Sequence, residues 1–231
     1  MIEQLPVGWW GSGLPGVEAE GTYELLPPNR LPRINADSLQ TWAWVPDVDA
    51  PLDWSISDPD EAEEVLLVAA ATGVVVPVSF RSFVTTPRLR WAIRSVTGCW
   101  WSLGRGRGVV VREELNRALG DGEGTGTADS PIRFVPALGR HVLRFLTDQQ
   151  DSLFWFLVLG DVDGTVIASD LDMVEASPET IDHIWKVAPT FEEFVYRFWI
   201  ENEIAFRANE KAPLTNVQQA YLEEALRPAR P

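Results

Sequence analysis

The chain runs to 231 residues, 45% of them hydrophobic and 23% charged, a composition that excludes a disordered or fibrous protein and suits one large domain. Lys and Arg number 19 against 34 Asp and Glu, a formal charge of −15. That balance opposes sequence-independent binding to nucleic-acid backbones or anionic membranes and favours a basic partner.

Cys99 is the single cysteine, so no internal disulfide forms. The longest nearly apolar run, 65–78, is broken by Thr72, Gly73 and Pro77 and is shorter than the roughly 20 residues a spanning helix needs. A cytoplasmic protein is expected, because the opening MIEQLPVGWW holds neither a basic region nor an unbroken apolar stretch of the secretory kind. Eleven tryptophans are the unusual feature. Most are expected in the core, where each indole N–H needs a partner, with a docking surface as the alternative.

Residues 1–57 hold seven prolines and the stretch GWWGSGLPG without a sustained period of 3.6 or 2. They read as an extended, ordered arm lying on the body, with short strands over 21–26 and 41–45. The first helix opens at Ser57-Asp58-Pro59, where Ser or Asp caps, Pro suits the first turn, and Glu61, Glu63 and Glu64 favour the positive end of the dipole. Ala62, Val65, Leu66 and Ala69 form its buried stripe, and Gly73 ends it in the left-handed conformation. A second helix is expected over 78–84, stopped by Pro87. The alternating residues of 90–103 then read as a strand, and the glycine-rich 104–131 as an excursion from the body.

The strongest strand signal follows. Residues 141–146, the turn TDQQ and 153–159 form a hairpin whose LFWFLVL run is apolar on both faces, as in a strand covered on each side. Asp161-Val162-Asp163-Gly164 turns the chain into a third strand over 165–169. Thr190-Phe191-Glu192-Glu193 is a capping box. It opens a helix that turns Phe191, Phe194, Val195, Phe198 and Trp199 to the sheet and leaves Glu192, Arg197, Glu201 and Glu203 in water. A weaker last helix covers 216–226. Strands followed by helices give an α+β fold: an antiparallel meander with helices packed on it, one domain over 58–231 with the arm 1–57 laid across it.

Chemistry-bearing motifs are sparse. His141 and His183 stand at no metal-ligand spacing to each other or to Cys99 and read as structural, as does Cys99 beside Trp100 and Trp101. Asp-x-Asp occurs at Asp47/Asp49, Asp58/Asp60, Asp161/Asp163 and Asp170/Asp172. Such pairs hold divalent ions or divide acid and base roles, but their recurrence in an acidic chain marks caps and turns. The Gly104 to Gly108 loop, with Arg105 and Arg107, is G-x-G-x-G and matches neither phosphate-binding fingerprint, so it reads as a connector. No cofactor is expected.

Three segments carry a family likeness: VVVPVSFRSFV at 74–84, LRFLTDQQDSLFWFLVL at 143–159 and APTFEEFVYRFWIENEIAF at 188–206. Together they resemble the SUKH superfamily, the Smi/Knr-type fold common among bacterial toxin-immunity proteins, in a proline-started short helix, paired strands with a late aromatic run, and a closing Ser/Thr-Phe-x-x-Phe helix. The likeness covers about 59–206 with gaps. Two features depart from it: Thr85-Thr86-Pro87 stands where the family often has a glycine-rich turn, and the arm 1–57 has no counterpart. The resemblance implies a SUKH-like sheet and non-enzymatic protein binding, and it transfers no catalytic residue.

The leading expectation is therefore a binder whose acidic surface engages a basic protein, such as a nuclease-type toxin, without binding nucleic acid or membrane itself. Asp148, Gln149, Gln150 and Asp151 in the hairpin turn, with Asp161 and Asp163 in the next, are the candidate face. The alternatives are a regulatory or scaffold module docking through the tryptophan-rich arm, and a hydrolase using an Asp-x-Asp metal site.

Overall fold

A computed structural model describes residues 2–11, 14–16, 23–34, 39, 42–48, 59–101, 132–160, 164–171 and 178–227. The fold is α+β. In chain order the strands and α-helices are β1 (Trp9–Gly11), β2 (Glu24–Leu26), α1 (Pro59–Ala71), α2 (Val78–Thr85), α3 (Pro87–Ala92), β3 (Trp100–Trp101) and β4 (Ile132–Val135). There follow β5 (Arg140–Thr147), β6 (Phe154–Val158), β7 (Val166–Ser169), β8 (Ile184–Ala188), α4 (Phe191–Glu210) and α5 (Asn216–Ala225).

The expected hairpin and third strand are the centre of a six-stranded antiparallel sheet in the order β3-β5-β6-β7-β8, with β4 also on β5. Every residue of β6 is buried, which agrees with its unbroken apolar run. Three strands lie outside the three-strand meander: β3, which falls within the span read as a strand over 90–103, and β4 and β8, which the sequence reading does not place. β8 begins directly after a 3-10 turn, Pro178–His183, and is only five residues long. β4 turns into β5 through Pro136 to Gly139, where Gly139 sits at φ 63° and its N–H donates to Val135 O at 2.9 Å. On β5, Leu146 faces Trp101 of β3 and Leu143 faces Ile132 of β4, with a bulge between Arg144 and Leu146. The two short strands thus follow one another along the same edge of β5.

α1 ends as its sequence predicts: Gly73 has φ 68°, and Val74 N–H reaches back to Ala69 O. Val65 and Ala69 are buried and Leu66 is half-buried; the capping residues Ser57 and Asp58 and the Ala62 side chain lie outside the described positions. Pro87 does not simply stop a helix. Thr86 breaks α2 in an extended conformation, and Pro87 then opens α3, where a missing N–H costs nothing. This overturns the strand read over 90–103. Leu89, Ala92 and Ile93 are buried at helical spacing, Gly98 turns the chain at φ 74°, and strand pairing is confined to Trp100–Trp101. The strand expected over 41–45 is also corrected: Trp42 sits at φ 56° in consecutive turns, its N–H donating to Leu39 O and its carbonyl accepting from Val45 N–H. Of the one expected over 21–26, Glu24–Leu26 pairs with β1, and Gly21 and Thr22 are outside the described residues.

Helices α2 and α4 cover one face of the sheet with an aromatic core. Phe191 at the start of α4 meets Trp42, Phe80, Phe83 and Phe145 at centroid distances of 5.0 to 6.3 Å, mostly edge to face, the arrangement that ring quadrupoles favour. Trp9 and Trp42 from the arm, Trp101 and Trp155 are buried in the same cluster. The opposite face buries Val142, Phe156, Val158, Ile167 and Ile184 with Leu5 and Leu138.

Candidate functional site

The β5–β6 turn is built around Asp148. Its Oδ1 accepts from Ser152 N–H at 2.7 Å and Leu153 N–H at 3.1 Å, its Oδ2 accepts from the Ser152 hydroxyl at 2.8 Å, and its backbone N–H donates to Leu153 O. The carboxylate is inside the turn and 1% exposed, so Asp148 does not belong to a docking face. An Asp followed four residues on by Ser is the local signal that points to such a turn cap. Gln149, Gln150 and Asp151 are exposed, Asp151 at φ 53° in the left-handed region. Asp161 and Asp163 lie outside the described residues. Of the six candidate residues, three are thus placed at the surface, and together they carry one charge. Asp148→Ala is expected to cost about 2–3 kcal/mol, since it leaves the buried Leu153 N–H without its acceptor; chemical denaturation checks this, and a change under 0.5 kcal/mol contradicts it.

The other singled-out residues have ordinary partners. His183 Nδ1 lies 2.9 Å from Asp170 Oδ1, both half exposed, and His141 packs edge-on against Phe134. Cys99 Sγ is 3.0 Å from the Tyr23 hydroxyl, which also donates to Thr97 Oγ1 at 3.1 Å. Burial, followed by the neighbouring Cys99, pushes the Tyr23 hydroxyl far above its usual range, and burial also raises the Cys99 thiol. This is the behaviour of a packed thiol and not of an activated nucleophile. Each Asp-x-Asp pair has at least one member outside the described residues, as do Arg105 and Arg107. Among the described residues no three His, Cys, Asp or Glu gather as metal ligands would, and no helix is long and apolar enough to cross a membrane.

The largest departure from the sequence reading is a buried polar cluster where α4, α5 and the arm meet. Arg197 and Glu201, expected in water, are 3% and 1% exposed. Glu201 accepts from the Trp9 indole N–H at Oε2, 2.8 Å, and from the Tyr221 hydroxyl at Oε1, 2.7 Å. Arg197 donates to the Tyr221 oxygen at 3.2 Å, to Pro32 O at 3.3 Å and to Glu193 Oε1 at 3.2 Å. Burial alone lowers the guanidinium pKa, but Tyr221, Glu201 and Glu193 together outweigh it and raise the value; burial, then Glu201, pushes the Tyr221 hydroxyl well up. Glu193 serves this network, so of the expected capping box the half in which Thr190 Oγ1 accepts from Glu193 N–H is present. A complete box stands instead on α5, between Thr215 and Gln218, which fastens the helix expected to be weak. The spacing did hold the clue: Glu201 lies three and seven residues beyond Phe198 and Phe194, on the edge of the apolar stripe.

Charge is distributed unevenly along the chain. From residue 34 to residue 80 there are nine acidic residues and no Lys or Arg, so 0 − 9 = −9 of the total −15 falls in this stretch. Within it Asp47 and Glu63 are exposed, and Asp47 meets Arg88 at 3.3 Å at the surface. Comparison with protein-family models, with curated proteins and with solved structures finds no match for the chain.

Proposed function

We propose that the protein is a non-enzymatic, SUKH-type binding protein that engages a basic protein, in the manner of an immunity protein occupying the cationic cleft of a nuclease-type toxin. The observation that carries the reading is the run of nine acidic residues without a basic one between 34 and 80. Such a stretch concentrates negative potential on one part of the chain, steers a cationic partner and repels nucleic acid competing for the same cleft. An α+β sheet with an aromatic closing helix is consistent with the family likeness, and fold alone does not name a reaction. A regulatory module docking through the arm would need accessible indoles, whereas Trp9 and Trp42 are buried and Trp10 and Trp44 half-buried.

The test is binding of the full chain to a catalytically inactivated basic nuclease domain at about 50 and 200 mM salt. Two charge-neutral variants separate the surfaces: Asp47→Asn with Glu63→Gln, and Asp151→Asn with Asp161→Asn and Asp163→Asn. At least tenfold weaker binding at the higher salt is expected, with the first variant reducing both affinity and salt slope. Salt-insensitive binding, or no binding, contradicts the reading; loss confined to the second variant returns the site to the two hairpin turns.

A further inference from the structure

The outer edge of β8 is occupied by the chain's own first residues. Val7 bridges Lys186 in parallel, Gly8 N–H donates to Lys186 O at 3.1 Å, and Lys186 N–H donates to Pro6 O at 2.9 Å. Glu3 lies 3.6 Å from Lys186 Nζ with its own side chain largely in solvent, and Trp10 meets Trp185 edge-on at 5.1 Å. Along the edge itself the contact is two main-chain hydrogen bonds and a solvated ion pair, with Leu5 buried below it and residues 9–11 paired to β2, whereas the inner edge of β8 pairs with β7 at four positions.

The firm attachment is one residue further along and inside the protein. Trp9 is 1% exposed, packs against Phe194 at 5.5 Å, and gives its indole N–H to Glu201, which the Tyr221 hydroxyl holds from α5. Gly8 lies against β2 beside it: a Cβ there would come within 2.6 Å of the Leu25 side chain. Residues 7 to 9 therefore join an exposed edge to a buried carboxylate through a backbone packed tightly against β2.

We propose that residues 2–11 are a strap over the β8 edge that opens and closes as one unit, with Glu201 as its latch. The buried hydrogen bond on α4, and not the pairing along the edge, sets how often the main-chain groups of Lys186 are bare. A single sheet edge left open is a template for another strand, so the latch is also the control on that edge. The inference is independent of what the protein binds.

Amide hydrogen exchange followed by NMR on the full chain tests it, in the wild type and in three single variants. Trp9→Phe keeps the ring against Phe194 and removes the donor; Glu201→Gln weakens the acceptor; Glu3→Gln removes only the edge ion pair. The Gly8 and Lys186 amides are expected to exchange at least tenfold faster in the first two variants and less than twofold faster in the third. Val158 N–H, which donates to Thr165 O in the sheet interior, is expected to exchange more slowly than either of them in the wild type and in every variant. Four results each overturn the proposal: unchanged exchange at Lys186 in Trp9→Phe, acceleration at Gly8 without Lys186, wild-type exchange at Lys186 as slow as at Val158, or an effect of Glu3→Gln as large as that of Trp9→Phe.

Discussion

Glu201→Ala is expected to lower the free energy of unfolding by about 3–5 kcal/mol, among the most severe single substitutions available in this chain. The loss has three parts. The Trp9 indole N–H and the Tyr221 hydroxyl both lose their acceptor in a dry setting, and Arg197 loses one of the negative groups that hold it charged while buried. Orphaned buried polar groups cost more than the hydrogen bonds themselves contributed. Most of the damage comes from what is left behind. Arg197→Met combined with Glu201→Leu leaves the same two donors without their acceptor but removes the buried guanidinium and fills the space, and is expected to cost less than Glu201→Ala alone. Urea denaturation of both variants checks the order, and a double variant that is as damaged as the single one or more so contradicts it.

The second large effect is a loss of stability in alkali. The chain has three tyrosines, Tyr23, Tyr196 and Tyr221, and burial is the leading cause of a raised hydroxyl pKa at each. In the unfolded chain these phenols release protons near pH 10. The folded chain keeps them, so above pH 10 the unfolded state binds fewer protons and stability falls with rising pH. Their contribution is fully present below pH 10 and is lost progressively on the way to the folded-state values. Tyr221 alone gives a slope of about 1.4 kcal/mol per pH unit; Tyr23 and Tyr196, partly in contact with solvent, add less. The measurement is phenolate absorbance near 295 nm beside circular dichroism. Ionisation and unfolding are expected as one cooperative step, with little phenolate signal from the native protein at pH 10.5. Three ordinary titrations near pH 10 with an intact dichroism spectrum would refute this.

The sequence reading succeeded where one periodicity ruled a segment. The LFWFLVL strand, the hairpin it forms with β5, and the Phe191, Phe194, Phe198 stripe of α4 were legible because burial there is uniform and apolar. It failed where the chain mixes signals over a few residues. Over 90–103 the alternation of large residues resembles a strand, but Pro87 supplies a helix start and Gly98 a turn, and local backbone chemistry decides. Arg197 and Glu201 were read as solvated because charged residues are seldom fully buried unpaired; their partners Trp9, Pro32 and Tyr221 lie in distant parts of the chain, which helix spacing does not reveal. Asp148 was the reverse case, a charged residue in a turn taken for surface although its side chain is the turn's internal scaffold. The candidate site suffered most, since a docking face is defined by exposure and electrostatic context, and neither has a sequence period.

The order of strands along β5 bears on how this chain tolerates change in length. Trp101 faces Leu146 and Ile132 faces Leu143, so only Arg144 and Phe145 of β5 separate the point where the chain departs from the point where it returns. A pair of residues would span that distance in an uninterrupted strand, yet 102–131 intervene. β5 alone thus fixes both the point at which the chain leaves this edge of the sheet and the point at which it rejoins it, and a change of length within 102–131 is expected to leave the two pairings in register, which amide exchange along β5 checks.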